Sequence, residues 1–543
     1  MENNILHIPI PQNEPILGYA PNSSERVEIL KTIKELKSTS KDIPMYIGAE
    51  EVRTGTKTSI HPPHEINHTL GHYYYGGKTE AAKAIKAALH AKSDWENMPW
   101  EHKAAIFMKA ADLVSGKYRY KINAATMLAQ SKSVHQAEID AVCELADFLR
   151  FNVYFANEIY KMQPVSATGV WNRTDYRPLE GFIYALTPFN FTAIAGNLPA
   201  APAIMGNVVV WKPADQQVYT AALIMEILYE AGLPKGVINL IYGDGPEIGE
   251  VIFKHPDFAG LHFTGSTQVF KLLWKEIAKN IDTYETYPRI VGETGGKDFV
   301  LVHDSANVDT VVTALIRGAF EYQGQKCSAA SRAYIPATLW NQIWVKMKIE
   351  LDSIKVGPTD DLSCFINAVI DAKAFDKITG FIERAKNNPL NQVIFGGKYD
   401  SSEGYFIQPT VILTSDPHSE TMENEIFGPV LTIFVYNNAY EEILKLVNNT
   451  SKYALTGAII ATDKSAQIQA LDALRNAAGN IYINDKPTGA IVGQQPFGGA
   501  RQSGTNDKSG SLLNMLRWVS PRTIKEVFVS PIDYRYPFLN AET

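Results

Sequence analysis

The chain has 543 residues, of which 45% are hydrophobic and 20% charged, so it is long enough for two or three domains with large buried cores. Its formal net charge of −7, with no basic block to neutralise phosphates, excludes nucleic acid as a general partner. Cys143, Cys327 and Cys364 are an odd count without close spacing, which indicates neither a disulfide framework nor a zinc site and favours a reducing compartment.

The composition of the first residues bears on location. Residues 1–40 contain no apolar core of signal-peptide length, and they carry acidic residues that a mitochondrial presequence avoids: Glu2, Glu14, Glu25 and Glu28. No uninterrupted apolar run of about 18 residues occurs along the chain, so we expect no membrane span. These features predict a cytoplasmic protein.

Helical periodicity begins early in the chain. Residues 1–45 are predicted to form an extended, proline-bearing arm and then one helix around residues 24–36, which serves packing rather than chemistry. A polar strand pair follows. Helices then dominate from about residue 79 to residue 162, with Trp95 and Trp100 as expected core anchors.

One helix in this region places a carboxylate among aromatic side chains. At 3.6 residues per turn, a helix over residues 134–161 brings Glu144 onto an apolar flank. The residues on that flank are Ala137, Phe148, Phe151 and Phe155. From the helical wheel alone, Glu144 either extends from the edge of a core face into solvent or faces a ligand.

Strands and helices alternate in the next part of the chain, which predicts a doubly wound parallel α/β sheet. The G-x-G-x-x-G dinucleotide fingerprint is absent, so a nucleotide site has to be argued from other residues. The predicted strands cover residues 182–186, 208–211, 237–241, 261–263 and 290–291.

Two of these strands end in residues suited to a nucleotide. Lys212 and Asp215 follow the carboxyl end of one strand, where open α/β sheets bind ligands. Gly265 and Ser266 lie between a strand and a helix that starts near Thr267, so backbone N–H groups and the serine hydroxyl can meet a pyrophosphate. Taken singly, each pair is equally consistent with a plain turn and a helix cap.

Residues 299–474 repeat the alternation of strands and helices and are predicted to form a catalytic domain that contains Cys327. Small and polar neighbours such as Gly324 and Ser328 leave room for a substrate, which suits a nucleophilic thiolate. For a cysteine taken alone, a buried structural role is the alternative.

Three further motifs supply groups that a cysteine-dependent reaction needs. Glu293, in a glycine-rich turn after an apolar strand, is a candidate base, and Asn190 supplies a side-chain amide. Glu425 places another carboxylate in a turn. Cys143 and Cys364 lie outside these motifs, have no base candidate assigned to them and are expected to be inert.

These four motifs, in this order, resemble those of the aldehyde dehydrogenase superfamily. They cover residues 188–191, 292–297, 321–332 and 425–429, and the resemblance extends from about residue 44 onward. Thr294 departs from the superfamily pattern, in which a leucine usually follows the glutamate.

The resemblance implies an aldehyde dehydrogenase-like α/β fold, NAD as cofactor, a small-molecule substrate, no metal, and no nucleic-acid or membrane partner. It also implies a homo-oligomer, a dimer or larger. The implied parts are an N-terminal arm and helix (1–45), a doubly wound Rossmann-type NAD-binding domain (46–164 and 181–297), an α/β catalytic domain (298–509) and an oligomerisation flap (165–180 and 510–543).

The resemblance assigns roles to individual residues. Cys327 would attack an aldehyde carbonyl, Asn190 would stabilise the oxyanion, and Glu293 would activate the water that hydrolyses the thioester. The residues implied at the NAD site are Thr187, Lys212, Asp215, Gly265, Ser266, Glu425 and Phe427.

Finer signatures at residues 136–140, 179–182, 483–486 and 493–501 resemble one branch of the superfamily, which oxidises L-glutamate γ-semialdehyde to L-glutamate in proline degradation. The residues that the branch implies at the substrate are Glu144, Phe191, Ser328, Gly489, Ala490 and Phe497. Glu144 would meet the ammonium group. Ala490 stands where some relatives carry a serine.

Other functions stay open at this point. In one alternative, the substrate is another semialdehyde, such as succinate semialdehyde. In another, the chain is a non-catalytic relative that keeps only the fold. A coenzyme-A-acylating relative would keep the cysteine without needing Glu293. The polar, glycine-rich residues 481–503 form either a substrate-enclosing loop or a flexible surface loop.

Overall fold

Two large sheets form where the sequence alternates apolar runs with helices. The computed structural model describes residues 8–539, so the predictions that involve residues 1–7, among them Glu2, and residues 540–543 lie outside it. Within the described part of the chain, no helix is long and apolar enough to cross a membrane.

Helices and strands are numbered in chain order. The α-helices are α1 (Ser24–Ser38), α2 (Lys78–Asn97), α3 (Trp100–Ser115), α4 (Arg119–Gln130), α5 (Val134–Ala137), α6 (Leu145–Lys161), α7 (Thr192–Ile204), α8 (Val218–Ala231), α9 (Gly245–Ile252), α10 (Thr267–Lys279), α11 (Val308–Phe320), α12 (Ala337–Ser353), α13 (Ala372–Asn387), α14 (Glu420–Glu423), α15 (Tyr440–Asn449), α16 (Lys464–Ala473) and α17 (Leu512–Met515). A π-helix covers Glu138–Glu144, and short 3-10 helices cover Asp215–Gln217, Ile281–Thr283, Glu321–Gly324, Leu516–Trp518 and Pro537–Leu539.

The strands are β1 (Lys41–Ile43), β2 (Met45–Ile47), β3 (Glu50–Val52), β4 (Lys57–Ile60), β5 (Gly71–Tyr74), β6 (Val170–Arg177), β7 (Phe182–Thr187), β8 (Val208–Pro213), β9 (Ile238–Leu240), β10 (Phe258–Thr264), β11 (Arg289–Glu293), β12 (Asp298–Val302), β13 (Ala330–Pro336), β14 (Asn391–Phe395), β15 (Tyr399–Asp400), β16 (Phe406–Ile407), β17 (Thr410–Thr414), β18 (Val430–Tyr436), β19 (Tyr453–Ala454), β20 (Thr456–Ile460), β21 (Asn480–Ile483), β22 (Ala500–Arg501) and β23 (Ser520–Val527).

The first sheet has seven strands in the order β11-β10-β7-β8-β9-β2-β3, and the strands from β11 to β9 run parallel. β7 and β8 are buried along nearly their whole length, as parallel strands covered on both faces are. The chain proceeds from β7 outward to β9 and then places β10 on the other side of β7. A switch point therefore lies between β7 and β10, which confirms the predicted doubly wound sheet.

The second sheet also has seven strands, in the order β14-β17-β18-β13-β12-β20-β21, with β14 antiparallel to its neighbour and the others parallel. The chain enters it directly from the first sheet, because β11 ends at Glu293 and β12 begins at Asp298. The carboxyl edge of the first sheet therefore meets the amino edge of the second.

The early helical predictions are mostly confirmed. α1 covers the predicted first helix, and α2 to α6 fill the predicted helical region. Trp95 is fully buried and donates its indole N–H to the Ala203 carbonyl at 3.0 Å. Trp100 is half-buried against Tyr160 and packs at the edge of the same core, so it contributes to the core from its rim rather than from its interior.

The helix predicted over residues 134–161 is not regular, because the π-helix Glu138–Glu144 joins α5 to α6. A π-helical turn holds more than 3.6 residues, so the wheel that grouped Glu144 with Ala137 across this segment is wrong. The π-helix ends at Glu144 itself. Such insertions occur frequently at functional sites.

The two pieces of the predicted flap pair with each other. β6 and β23 form a separate antiparallel ribbon, which runs from Arg177 opposite Ser520 to Val170 opposite Val527. The segment after β23 leaves large apolar side chains exposed: Phe528, Val529, Ile532, Tyr534, Tyr536 and Phe538.

A buried cation joins the elements of the second sheet. Arg332 in β13 is only 2% exposed. Its guanidinium donates to the carbonyls of Lys297 at 2.8 Å and Val447 at 3.3 Å, and to the Tyr334 hydroxyl at 2.8 Å. Removing it would leave buried acceptors unpaired, each of which costs about 1–3 kcal/mol.

We therefore expect Arg332→Met to lower the free energy of unfolding by at least about 2 kcal/mol, measured as a lower urea midpoint by intrinsic fluorescence. The matched control is Arg475→Met, because Arg475 is exposed and, within residues 8–539, pairs only with the neighbouring Asp472. An exposed ion pair contributes about 0–1 kcal/mol. Equal midpoints for the two variants would contradict the structural role of Arg332.

Candidate active site

A left-handed turn presents Cys327. After α11, Tyr322, Gln323 and Gly324 have φ values of 51°, 56° and 65°, a conformation that non-glycine residues avoid. The Gln323 side-chain amide holds the turn, because it donates to the carbonyls of Ser131 at 2.8 Å and Ala368 at 2.7 Å. The strained turn is thus fixed by buried hydrogen bonds.

Cys327 follows this turn and is partly exposed. Gly296 packs directly against it, since a Cβ there would lie 2.2 Å from the Cys327 carbonyl oxygen. Burial raises the pKa of the thiol, and the carboxyl groups of Asp298, Glu425 and Glu293 raise it further. The free thiol is therefore protonated near neutral pH, and its attack needs a proton acceptor.

Cys143 and Cys364 are both buried, and each has a carboxylate closer than the sequence predicted. The Cys143 thiol lies 3.9 Å from Glu138 Oε1. Burial and then Glu138 raise the pKa of Cys143, while burial and then Asp361 raise the pKa of Cys364 to about 11. These surroundings disfavour a thiolate at either position.

Asn190 lies in the loop after β7 and is buried. Its Nδ2 donates to the carbonyl of Gln325 at 3.0 Å, two residues before Cys327. An amide nitrogen carries two N–H donors, so this contact leaves one N–H of Asn190 for a second acceptor. The structure thus brings the predicted amide next to the cysteine loop.

Asp140, in the π-helix, fixes the end of the loop that carries Asn190. Its two carboxylate oxygens accept the backbone N–H groups of Thr192 at 2.9 Å and Ala193 at 2.8 Å, the first residues of α7. The buried amine of Lys132 pairs with the same carboxylate at 2.6 Å. Asp140 therefore caps α7 and orients the chain that carries Asn190.

Glu293 ends β11 and points its carboxylate at the segment before β22. The N–H of Gly499 donates to Oε2 at 3.0 Å, while Oε1 is buried without a partner among the described residues. Burial raises the pKa of Glu293 well above its ordinary value; the charge of Asp507 adds to this, and the Gly499 N–H and Lys508 oppose it. A carboxylate in this setting is suited to accept a proton near neutral pH.

Thr294, the departure from the superfamily pattern, has a structural explanation. Its hydroxyl donates to the Gln502 carbonyl at 2.6 Å, and its N–H donates to the Ser503 carbonyl at 2.9 Å. A leucine at this position could make only the second bond. The hydroxyl therefore adds a contact between the Glu293 turn and the segment after β22.

Glu425 and Phe427 lie on the opposite side of the cysteine loop. Glu425 Oε1 accepts the N–H of Gly296 at 3.0 Å, and burial raises the pKa of this carboxyl group. Phe427 has a φ of 62° and meets the Phe189 ring edge-on, with the centroids 5.8 Å apart. The pair brings two aromatic rings to the junction between the sheets.

The residues predicted for a nucleotide lie along the carboxyl edge of the first sheet. Lys212, at the end of β8, is partly buried, and its amine makes one long hydrogen bond, to the Pro213 carbonyl at 3.3 Å. Asp215 accepts the Tyr75 hydroxyl at 3.1 Å. Burial lowers the pKa of Lys212, and Asp215 opposes this shift.

Thr187 ends β7, next to the switch point. Its hydroxyl accepts the indole N–H of Trp211 at 2.9 Å, and its carbonyl accepts the N–H of Ala214 at 2.9 Å. The residue therefore joins β7 to β8. Both contacts are within the protein, and the role of Thr187 at a nucleotide stays a prediction.

Gly265 and Ser266 form the turn between β10 and α10. The Gly265 N–H donates to the Glu293 carbonyl at 3.1 Å, and Ser266 caps α10 through Val269 N–H at 3.4 Å. The helix-cap alternative for Ser266 is therefore realised. Ser266 is exposed, so the first turn of α10 still presents backbone N–H groups at the switch point.

Glu144 lies in a buried charge cluster between the π-helix and the cysteine loop. Burial, followed by the neighbouring Asp140, raises the pKa of Glu144 to about 8, whereas Lys132 and Lys326 lower it. The Lys132 amine also lies 4.2 Å from the ring centroid of Phe191. The structure thus groups Glu144 and Phe191 around Lys132. Glu144 is itself partly exposed at the edge of this cluster, and its contact with a ligand stays a prediction.

The loop between β21 and β22 is tied to the cysteine loop. Ser328 and Thr488 share a hydroxyl hydrogen bond of 2.8 Å, and Lys486 pairs with Glu321 at 3.1 Å. Gly489 has a φ of 100°, a value that favours glycine, and its backbone is exposed. These bonds favour the enclosing-loop interpretation of residues 481–503 over a flexible surface loop.

Ala490 and Phe497 lie further along this loop. Ala490 is partly exposed and brings no side-chain donor. Phe497 is also partly exposed, and its backbone pairs with Ser509 through hydrogen bonds of 3.0 and 2.8 Å. Neither side chain has a hydrogen-bonding group, so polar contacts of these two residues with a substrate would come from the loop backbone.

Sequence reasoning missed the supporting charges of the site. Lys326 and Lys486 both pair with the buried Glu321, at 3.2 and 3.1 Å, and Lys132 pairs with Asp140. Single charged residues spread over some 350 positions carry no periodic signal. Asp140, Glu321, Lys326 and Lys486 do lie within the motifs at 136–140, 321–332 and 483–486, but those motifs carried no signal that these charges pair with one another.

Comparisons with known proteins agree with this geometry. Residues 51–523 match the family described as "Aldehyde dehydrogenase family". The chain is 53% identical to Delta-1-pyrroline-5-carboxylate dehydrogenase of Agaricus bisporus, over 98% of this chain and 97% of that protein. It is 48% identical to the mitochondrial Delta-1-pyrroline-5-carboxylate dehydrogenase of Homo sapiens, over 97% of this chain and 94% of that protein.

A solved structure is similar over nearly the whole chain. The Delta-pyrroline-5-carboxylate dehydrogenase from Mycobacterium tuberculosis, bound with NAD, superposes with a TM-score of 0.96 at 52% identity and covers 99% of this chain and 100% of that chain. The doubly wound sheet, the cysteine loop between the two sheets and these matches together place the chain in the aldehyde dehydrogenase family.

Proposed function

We propose that this protein oxidises L-glutamate γ-semialdehyde, the open form of Δ1-pyrroline-5-carboxylate, to L-glutamate with NAD, the second step of proline degradation. The observation that carries the proposal is the convergence of Cys327, Asn190 and Glu293 at the junction of the two sheets. Relatives about 50% identical over nearly the full chain are named for this activity.

The first chemical step forms a bond between Cys327 Sγ and the aldehyde carbon. The thiol loses its proton to solvent water as the bond forms, so Glu293, whose pKa burial raises, remains available as the base of the later hydrolytic step. The second N–H of Asn190 and the Cys327 backbone N–H then stabilise the oxyanion. The product is a thiohemiacetal.

The residues at the switch point fit NAD. The partly buried Lys212 amine has one long hydrogen bond, and ribose hydroxyls would complete its hydrogen bonding. The N-terminus of α10 after Ser266 suits the pyrophosphate, and Glu425 and Phe427 would lie at the nicotinamide riboside. Bound there, NAD supplies the hydride acceptor that converts the thiohemiacetal into a thioester. Thr187, Gly265 and Asp215 complete the proposed site.

The second step hydrolyses the thioester. Glu293 takes a proton from water, the resulting hydroxide attacks the thioester carbon, and the carbon–sulfur bond breaks to leave the Cys327 thiolate. A coenzyme-A-acylating enzyme would not need this base. The buried carboxylate of Glu293, held by Gly499, therefore favours hydrolysis over transfer to a second thiol.

The substrate carries an ammonium and a carboxylate at its amino-acid end. We assign the ammonium to Glu144, whose carboxylate has neither an ion pair nor a hydrogen bond in the described part of the chain, whereas Asp140 and Glu321 nearby are paired with lysines. The α-carboxylate would meet Ser328 and the backbone N–H groups of Gly489 and Ala490. Phe191 and Phe497 would flank the methylene stem, which is apolar.

We also infer a homo-oligomer in the cytoplasm, with the domain bounds predicted from the sequence. The β6–β23 ribbon and the exposed apolar segment after it, from Phe528 to Phe538, suit burial against a second copy of the chain. The three unpaired cysteines agree with a reducing compartment. Sedimentation and cell fractionation test the two statements, and a monomer or an organellar protein would contradict them.

The assigned nucleophile gives the first prediction about catalysis. We expect Cys327→Ala to abolish NADH formation from glutamate semialdehyde while NAD binding, followed by tryptophan fluorescence, is retained. Cys143→Ala and Cys364→Ala are matched controls and should keep turnover, because burial disfavours their thiolates. Substantial dehydrogenase activity in Cys327→Ala would remove Cys327 from the mechanism.

The assigned base gives the second prediction. Glu293→Gln keeps the shape of the side chain but cannot accept a proton, so hydrolysis of the thioester should slow more than acylation. Rapid mixing should then show a burst of about one NADH per site before a slow steady phase. A variant that slows both phases in parallel, with no burst, would show that Glu293 acts chiefly in acylation.

The assigned ammonium contact gives the third prediction. Losing a hydrogen bond to a charged group costs about 1.5–3 kcal/mol, so Glu144→Ala should lower kcat/KM for glutamate semialdehyde roughly 10- to 150-fold. Activity on an alkanal, which has no ammonium, should change little. The matched control is Glu158→Ala, because Glu158 lies on α6 and pairs with Lys161 at the surface.

The pKa of Glu144 adds a pH dependence to this test. Only the carboxylate attracts the ammonium, and its pKa of about 8 means that this form increases as pH rises from 7 to 8.5. The ratio of KM between Glu144→Gln and the parent protein should therefore rise over that range. A constant ratio, or an equal loss on the alkanal, would make Glu144 a structural residue.

A further inference from the structure

Lys508 follows β22 in a backbone conformation that its residue type disfavours. Its φ is 54°, and that of Asn506 is 58°, so two non-glycine residues of one short turn adopt the left-handed region. Such conformations persist where surrounding contacts hold them, and they are concentrated at functional sites. The ammonium group of Lys508 makes the contacts that hold it there.

The Lys508 ammonium makes three hydrogen bonds, all to neutral oxygens. It donates to the carbonyl of Gly479 at 2.8 Å, to Oδ1 of Asn480 at 3.2 Å and to the carbonyl of Gly498 at 3.1 Å. Among the described residues, no carboxylate lies within ion-pair distance of it. Lys508 thus brings an uncompensated positive charge to the Gly498 carbonyl.

Asn480, in β21, holds the same segment a second time. Its Oδ1 accepts the N–H of Gly498 at 3.3 Å, and its Nδ2 donates to the carbonyl of Pro496 at 2.9 Å. Both the N–H and the carbonyl of Gly498 are therefore bound, the carbonyl by Lys508. The peptide that follows Gly498 cannot rotate without breaking these bonds.

That peptide is the one that holds the proposed general base. The Gly498 carbonyl and the Gly499 N–H belong to one planar peptide unit, so fixing the carbonyl fixes the direction of the N–H. The Gly499 N–H donates to Glu293 Oε2 at 3.0 Å. A cation at the carbonyl also polarises the peptide and strengthens its N–H as a donor.

The fit around this peptide is close. A Cβ at Gly498 would lie 3.0 Å from Glu293 Oε1, and a Cβ at Gly499 would lie 2.5 Å from the Ser503 Cβ. Only a backbone without side chains approaches the carboxylate in this way. A small rotation of the peptide would therefore change the position of Glu293.

The charges around Glu293 differ in sign. The titratable groups that act on it are Asp507 and Lys508, and the Cys327 thiol lies within the reach of its charge. Asp507 is partly neutralised by Arg517, whose Nε lies 3.2 Å from Oδ1. Lys508 therefore supplies positive charge on the side of Glu293 where the peptide binds.

We propose that Lys508 is a positioning residue for thioester hydrolysis: by binding the Gly498 carbonyl, it holds the Gly498–Gly499 peptide in the orientation whose N–H binds Glu293. Lys508 touches neither substrate nor cofactor in this role. The proposal rests on the proposed function, in which Glu293 activates water. It predicts a defect confined to the hydrolytic step.

The test compares Lys508→Met, which keeps the length but loses charge and donors, with Lys508→Gln, which keeps neutral donors, and Lys508→Arg, which keeps both. The control is Lys464→Met at the exposed start of α16, where the amine bonds, among the residues that the structure describes, only to Gln467. Rapid mixing with NAD and glutamate semialdehyde measures the first NADH turnover, and chemical quench measures the release of glutamate.

We expect Lys508→Met to leave the first-turnover rate of NADH formation within about twofold of the parent and to slow glutamate release about 10-fold or more. Lys508→Arg should recover most of the loss, and Lys508→Gln part of it. Because Lys508 lowers the pKa of Glu293, the acid limb of the release rate should move to higher pH in Lys508→Met.

Two results would overturn the inference: equal slowing of both steps in Lys508→Met, or unchanged release with an unchanged pH profile. If Lys508→Met does not fold, as judged by NAD binding and thermal unfolding, the comparison of Lys508→Gln with Lys508→Arg decides by the same two criteria. A parent protein that forms no NADH from any semialdehyde would instead contradict the proposed function itself.

Discussion

The buried ion pair between Asp140 and Lys132 is the contact on which the arrangement of the site depends. Both side chains are almost wholly buried, and their charges are compensated by each other and by the two N–H groups that begin α7. A single buried charge left without its partner is strongly unfavourable, so neither residue is replaceable alone. The pair fixes Asn190 on one side and, through the π-helix, Glu144 on the other.

Carboxyl groups rather than cations surround the reactive thiol. Asp298, Glu425 and Glu293 all act on Cys327, and burial raises the pKa of each of them. A thiol in this environment is not a preformed thiolate, and its reactivity depends on transferring a proton as the bond to carbon forms. Burial raises the pKa of the thiol, which keeps it neutral. Burial also raises the pKa of Glu293, which makes Glu293 an effective base in the hydrolytic step.

The fold brings these groups together by joining two parallel sheets edge to edge. β11 delivers Glu293 at its carboxyl end, and after only four intervening residues β12 begins the second sheet. Open parallel sheets bind ligands at the carboxyl ends of their strands, and here the second sheet closes that edge with the cysteine loop. The loop between β21 and β22 also lines the site, and the Ser328–Thr488 hydrogen bond holds it against the cysteine loop.

The sequence by itself determined the fold class, the family and the chemical identities of the main groups, because apolar periodicity and short motifs are local properties of a chain. Only the tertiary structure decided how those groups are held. The π-helix that redirects Glu144, the cap that Asp140 provides, and the peptide between Lys508 and Glu293 join residues that are distant in sequence. Such contacts depend on which elements pack together, and a pattern of single residues contains no record of that packing.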